Sequence, residues 1–163
     1  MNAPKNSSFA DAVREATSEV KAPKNPGFIE AVRKLNLLPE RELERALGAD
    51  RNAFRLLKHL HASDQLERRE AIRVWAEGFG VTGIDIADTL VDREALLLLP
   101  RQFAETHQIM LVYRLGERIT AAISDPTNKS VIQEAERLAR VPLSIVSALP
   151  DELAEAILLH YPA

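Results

Sequence analysis

Between residues 9 and 75 apolar positions recur every three or four residues, and the rhythm breaks only at prolines, glycines and short polar stretches. Phe9, Ala12, Val13, Ala16 and Val20 form a first stretch that Ser7 or Ser8 can cap. Ala22-Pro23-Lys24-Asn25-Pro26-Gly27 must interrupt it, because prolines and glycine do not continue a helix. Helical spacing resumes at Phe28, Ala31, Val32 and Leu35. Pro39 suits the first turn of the next helix, which carries Leu43, Ala46 and Leu47 on one face. A further helix runs from about Asn52 to His61 with Phe54, Leu57 and Leu60 inward. The last of the series starts near Glu67, turns Ala71, Val74 and Trp75 inward, and stops at Gly78-Phe79-Gly80.

After Gly83 the pattern changes. Leu96–Leu99 before Pro100 closes a short helix, and 101–107 reads as another. Ile109–Tyr113 and Arg118–Ile123 are strand-like runs around Gly116, the signature of a hairpin. Asp125-Pro126 is read as the turn and cap before a helix of about thirteen residues that buries Val131, Ile132, Ala135 and Leu138. Val141–Val146 is a third strand, and Pro150-Asp151-Glu152 opens a final helix. The predicted fold is therefore α+β: an all-helical lobe of two helical hairpins over 27–80, then a small ββαβα lobe over 81–163 whose short sheet is covered by helices. Residues 1–26 are expected to be a flexible tail with an amphipathic helix.

Two internal repeats cross this pattern. APKNSSFADAVRE at 3–15 returns as APKNPGFIEAVRK at 22–34, identical at eight of thirteen positions. The second copy belongs to the fold. The first is either a duplicated segment left as a loose tail or a mimic whose face (Phe9, Ala12, Val13) seats in the same groove or on a partner as a helix. A quieter repeat superposes 27–50 on 55–78, bringing Val32 onto Leu60, Asn36 onto Asp64 and Leu38 onto Leu66. Asn36 and Asp64 fall where each hairpin reverses, a place for a left-handed residue that Asn and Asp tolerate best after Gly.

Composition narrows the functional classes. Aromatic residues make up 5% of the chain, so the core is built from aliphatic side chains, and with no cysteine there is neither disulfide nor thiolate metal site. No signal pattern and no apolar run of about 20 residues is present, which predicts a cytoplasmic protein. Residues 1–80 carry 14 basic against 12 acidic side chains and residues 81–163 carry 7 against 12, so no concentrated basic face argues for nucleic acid. His59 and His61, two apart, point to different faces of a helix and make no metal pair. No Gly-x-x-x-x-Gly-Lys-Ser/Thr loop, Gly-x-Ser-x-Gly elbow or believable catalytic set exists, so the chain is read as no enzyme.

Val91-Asp92-Arg93-Glu94-Ala95-Leu96-Leu97-Leu98-Leu99-Pro100, then Ile119-Thr120-Ala121-Ala122-Ile123-Ser124-Asp125-Pro126-Thr127-Asn128, then the closing stretch from Val146 to Tyr161, resemble the MshEN-type N-terminal domain of type II secretion and type IV pilus assembly ATPases. In that family the helical lobe carries two units of about two dozen residues, each opening with Arg-Leu-Gly and ending in Leu-x-x-Gln, and many members bind cyclic di-GMP there. The resemblance therefore implies candidate ligand positions at Gly27, Phe28 and Ile29 and at Arg55, Leu56 and Leu57. These depart from the family's pattern: the opening glycines are replaced by Ile29 and Leu57, and the closing positions hold Asp50 and Gly78. A phosphate comes close to backbone only where no Cβ intrudes, and Asp50 repels an anion, so Arg55 is left as the one guanidinium suited to it. Arg114-Leu115-Gly116 spells the opening triplet inside the hairpin, where glycine serves the turn. The resemblance implies a non-catalytic regulatory and docking domain, with no cofactor and cyclic di-GMP as the alternative ligand. Its partners would be an inner-membrane platform protein or neighbouring ATPase subunits, recruiting the chain to the membrane face without insertion.

Overall fold

The computed structural model describes Asp11, Ala12 and residues 22–162. Phe9 and Val13 of the proposed docking helix lie outside the described residues, whereas Asp11 and Ala12 are helical. The helical part runs α1 (Pro26–Lys34), α2 (Glu40–Leu47), α3 (Ala53–Ala62) and α4 (Arg68–Gly78). Asn36 and Asp64 stand at the two reversals with φ of 54° and 56°. The short polar side chains of Asn and Asp lower the penalty of that left-handed conformation, which a β-branched residue would meet in full. The caps of the two opening helices, Asn25 and Asn52, are twenty-seven residues apart rather than twenty-eight, because α1 has 9 residues and α3 has 10.

The apolar faces of these helices meet in one core that includes Phe28, Val32, Leu43, Leu47, Leu56, Leu60, Val74 and Trp75. Trp75 is its centre: the rings of Phe28, Phe54 and Phe79 approach it edge-on at centroid distances of 5.1, 6.1 and 5.7 Å. That geometry sets the positive ring edges against negative faces.

Beyond α4 the chain forms β1 (Thr82–Gly83), a 3₁₀ turn (Ile86–Asp88), α5 (Arg93–Leu96), α6 (Arg101–His107), β2 (Ile109–Leu115), β3 (Arg118–Ile123), α7 (Lys129–Ala139), β4 (Leu143–Ser147) and α8 (Pro150–His160). The sheet order is β1-β4-β3-β2, with β2 antiparallel to β3 and the other neighbours parallel. Two features correct the expected ββαβα order and its cap. β1 is an additional strand, two residues long, pairing Thr82 with Val146 and Gly83 with Ser147. Two residues carry no periodicity, so only pairing to β4 makes them a strand. The helix after β3 is capped by Asn128, whose Oδ1 accepts from the Val131 amide at 3.3 Å, and it is 11 residues long. Asp125 instead closes the turn before it, accepting from the Thr127 amide at 3.0 Å, and Pro126 is buried beneath.

Alternate strand residues supply two cores. Leu111, Ile119, Ala121 and Ile123 pack with Val131 and Ile132 of α7, while Met110, Val112 and Ala122 pack with Leu153 and Ile157 of α8 and with Tyr161 just beyond its end. A sheet covered on both faces gives continuous apolar runs, which is why these strands read as unbroken stretches. At the hairpin, Leu115 pairs with Arg118 across a two-residue loop in which Gly116 takes φ 60°. Arg114-Leu115-Gly116 is thus strand end and turn.

Candidate functional site

Each hairpin of the helical part opens against the close of the other, and the six candidate ligand residues lie at these two junctions. At the first junction Asn25, almost fully buried, accepts a hydrogen bond from the Phe28 amide at 3.0 Å and donates through Nδ2 to the Trp75 carbonyl at 2.9 Å. It therefore caps α1 and ties it to α4 together. The cap brings Gly27 onto Gly78. A Cβ built on Gly27 would stand 2.2 Å from the Gly78 oxygen, and one built on Gly78 would stand 2.4 Å from the Asn25 Oδ1. The two glycines let backbone meet backbone. Gly27 itself stays partly exposed, but the side on which a Cβ would stand is taken by the last turn of α4.

At the second junction Asn52 caps α3, accepting from the Arg55 amide at 3.1 Å. The Arg55 guanidinium turns back over the end of α2. It donates to the Leu47 carbonyl at 3.1 Å and forks onto Asp50 at 2.9 and 3.2 Å. Gly48, at φ 71°, has no side chain to obstruct it: a Cβ there would meet Arg55 Nη1 at 2.5 Å. The hydrogen bonds from Arg55 hold the Asp50 carboxyl below its ordinary value. A fork already spent on a carboxylate is withdrawn from an external anion unless Asp50 gives way.

The remaining candidates point inward. Phe28, Ile29, Leu56 and Leu57 are all buried in the helical core. Ile29 and Leu57, expected to crowd a surface cradle, instead close the interior beneath the junctions. His59 and His61 are exposed on α3, and among the described residues no group of three His, Asp or Glu is placed to hold a metal. No helix among the described residues is long and apolar enough to cross a membrane.

A third polar cluster escaped the sequence reading. Arg68, on the first turn of α4, forks onto Asp85 at 2.8 and 2.5 Å and reaches Glu152 of α8 at 2.6 Å. One guanidinium thereby joins the helical part, the connector and the α/β part. Arg68 holds the Asp85 carboxyl below its ordinary value. Glu152 is pushed up, because burial outweighs the attraction of Arg68 and two acidic neighbours, Asp151 and Asp85, add to the effect. Beside it lies a cleft of about 460 Å³, lined by Leu57, Lys58, His61, Ala62, Arg68, Ala71, Leu149, Asp151 and Glu152. A second cleft of about 570 Å³ runs along α4 and β1 past Arg69, Arg73, Thr82 and Asp85. Gly27, Phe28, Ile29 and Arg55 line neither. Asn25-Pro26, read from the sequence only as part of the break before α1, carries the signal of a cap and first helical residue, but no local signal links Arg68 to residues 17 and 84 positions away.

Comparison with known proteins agrees with this architecture. The model of the MshEN domain matches residues 79–163. The type IV pilus assembly ATPase PilB of Myxococcus xanthus is 25% identical over 127 residues, covering 77% of this chain; the chain spans 22% of that relative's length. The structure of MshE with cdg superposes with a TM-score of 0.62 at 23% identity, over 82% of this chain and 98% of that one. The N-terminal domain of XpsE superposes with a TM-score of 0.56 at 21% identity, over 84% and 95%. At such identities the superpositions speak for the fold, and the family match, which spans half the chain, speaks for descent. The chain belongs to the MshEN domain family, the N-terminal domains of type II secretion and type IV pilus assembly ATPases.

Proposed function

We propose that the chain is a non-catalytic regulatory and docking domain of a type II secretion or type IV pilus assembly ATPase, engaging an inner-membrane platform protein or a neighbouring ATPase subunit. The observation that carries this reading is the internal use of both ligand-bearing junctions. Gly27 is closed by Gly78, and Arg55 is held by Asp50 and Leu47. Large apolar side chains meanwhile remain at the surface: Leu90 is 93% exposed, and Leu35, Leu97 and Leu98 are also open to solvent. Single exposed leucines are ordinary on a protein surface, and here they serve as positions at which a docked protein would be detected. The absence of cysteine gives a clean test. Single cysteines at Leu35 and Leu90 carrying a photocrosslinker are expected to give adducts with the platform protein or an ATPase subunit in cells; adducts with neither would refute the reading.

A second reading, a cyclic di-GMP sensor with a degenerate motif, is favoured by one observation: the side chain of Arg55 is half exposed, and its partner Asp50 is more so. MshE, of the same fold, has been solved with cdg. Titration of cyclic di-GMP into isotopically labelled protein separates the two. No saturable amide shift at 27–29 or 55–57 is expected from docking; saturable shifts there establish sensing.

A further inference from the structure

The contacts of α1 explain which of the two repeated phrases the fold selects, and they bear on what the other one does. Four side chains anchor α1: Asn25, which caps it and bonds the Trp75 carbonyl; Phe28 and Val32, both fully buried; and Arg33, which reaches Glu40 and Glu44 of α2 at 3.1 and 2.9 Å. All four recur in the first phrase, as Asn6, Phe9, Val13 and Arg14. So do the small Ala12 for Ala31 and an acidic Asp11 for Glu30. Two differences fall on positions the groove judges most strictly. Ser8 stands where Gly27 touches Gly78, and its Cβ would enter a space where 2.2 Å is available. Ala10 stands where Ile29 fills the core. The two phrases therefore share these four anchors and differ at one core position and one close backbone contact.

We propose that the groove on α4 and α3 is a seat for either phrase: residues 22–34 occupy it in the main state, and residues 3–15 of the same chain replace them in a minor one, releasing 16–34. The groove's partner is thus a second helix encoded by the chain itself. Asp11 and Ala12 are already helical. The connection does not forbid the exchange. With the second phrase seated, five residues, 35–39, join α1 to α2; with the first seated, the link is residues 16–39. Closure entropy grows slowly with length, disfavouring the longer link by roughly tenfold. That factor and the two misfits rank the states but leave the anchors equal. Exchange would expose the Phe28 and Val32 face, a helix like the one withdrawn, and so convert seating into a signal that a partner can read.

The test uses the whole chain, with Trp75, its single tryptophan, as reporter. Phe28→Asp removes the anchor of the second phrase. The expected result is cooperative unfolding with Trp75 still shielded, because Phe9 now fills the place against it; adding Phe9→Asp then abolishes both. Phe9→Asp alone is expected to leave the unfolding midpoint unchanged. If Phe28→Asp exposes Trp75 as fully as the double variant does, the exchange is overturned. A second variant needs no damaged core. Ser8→Gly with Ala10→Ile repairs both misfits, and a second Trp75 indole resonance at about a tenth of the main intensity is expected from the loop factor alone. One unsplit resonance also overturns the proposal.

Discussion

The meeting of Gly27 with Gly78 decides more about this chain than any charged residue. It lets the start of α1 meet the end of α4 backbone to backbone, and a side chain at either position must push the two helices apart. Gly27→Ala is expected to lower stability by roughly 1–3 kcal/mol, the range for overpacking a tight contact. Urea unfolding followed by Trp75 fluorescence measures it. Gly78→Ala strains the same contact, so the double variant should lose less than the sum of the singles. Asn25→Ala removes both the cap and the bond to the Trp75 carbonyl and is expected to lower stability by about 1–2 kcal/mol in the same assay.

The helical hairpins depend on their reversals. Asn36 and Asp64 take positive φ, so glycine should serve as well there and a β-branched residue should not. Asn36→Gly is expected to be neutral or slightly stabilising in thermal unfolding, and Asn36→Val to lose about 1–2 kcal/mol. This much was legible beforehand, because a left-handed reversal needs a particular residue type at a particular place. The hairpin at Gly116 was legible for the same reason. The two-residue β1 and the Asn128 cap were not: the first exists only through its pairing with β4, and the second competed with an equally plausible Asp125 three residues earlier.

For the whole molecule, Arg68 is the joint between the helical and α/β parts, and its two carboxylates respond oppositely to pH. Asp85 is held down, so its contribution is present above its ordinary value of 3.8 and lost as pH falls through the lower native one. Glu152 is pushed up, so its contribution is complete below its ordinary value of 4.5 and lost as pH rises through the higher native one. Glu152→Gln is therefore expected to flatten the decline in stability above pH 4.5, read as unfolding midpoint against pH. Asp85→Asn should remove roughly 1 kcal/mol at neutral pH, a modest figure because solvent screens the partly exposed Arg68. An unchanged acid limb in Asp85→Asn would mean that other carboxylates, such as Asp50, dominate it.

By itself the sequence determined the helices, the hairpins, the reversal residues and the shared anchors of the repeated phrases, because each follows from the spacing and type of residues near one another in the chain. The tertiary structure alone decided that Gly27 is closed by Gly78, that Arg55 is spent on Asp50, and that Arg68 spans the two parts. Those are facts about which surfaces touch. A backbone left open and one sealed by a neighbouring helix are spelled with the same glycine, and only packing distinguishes them.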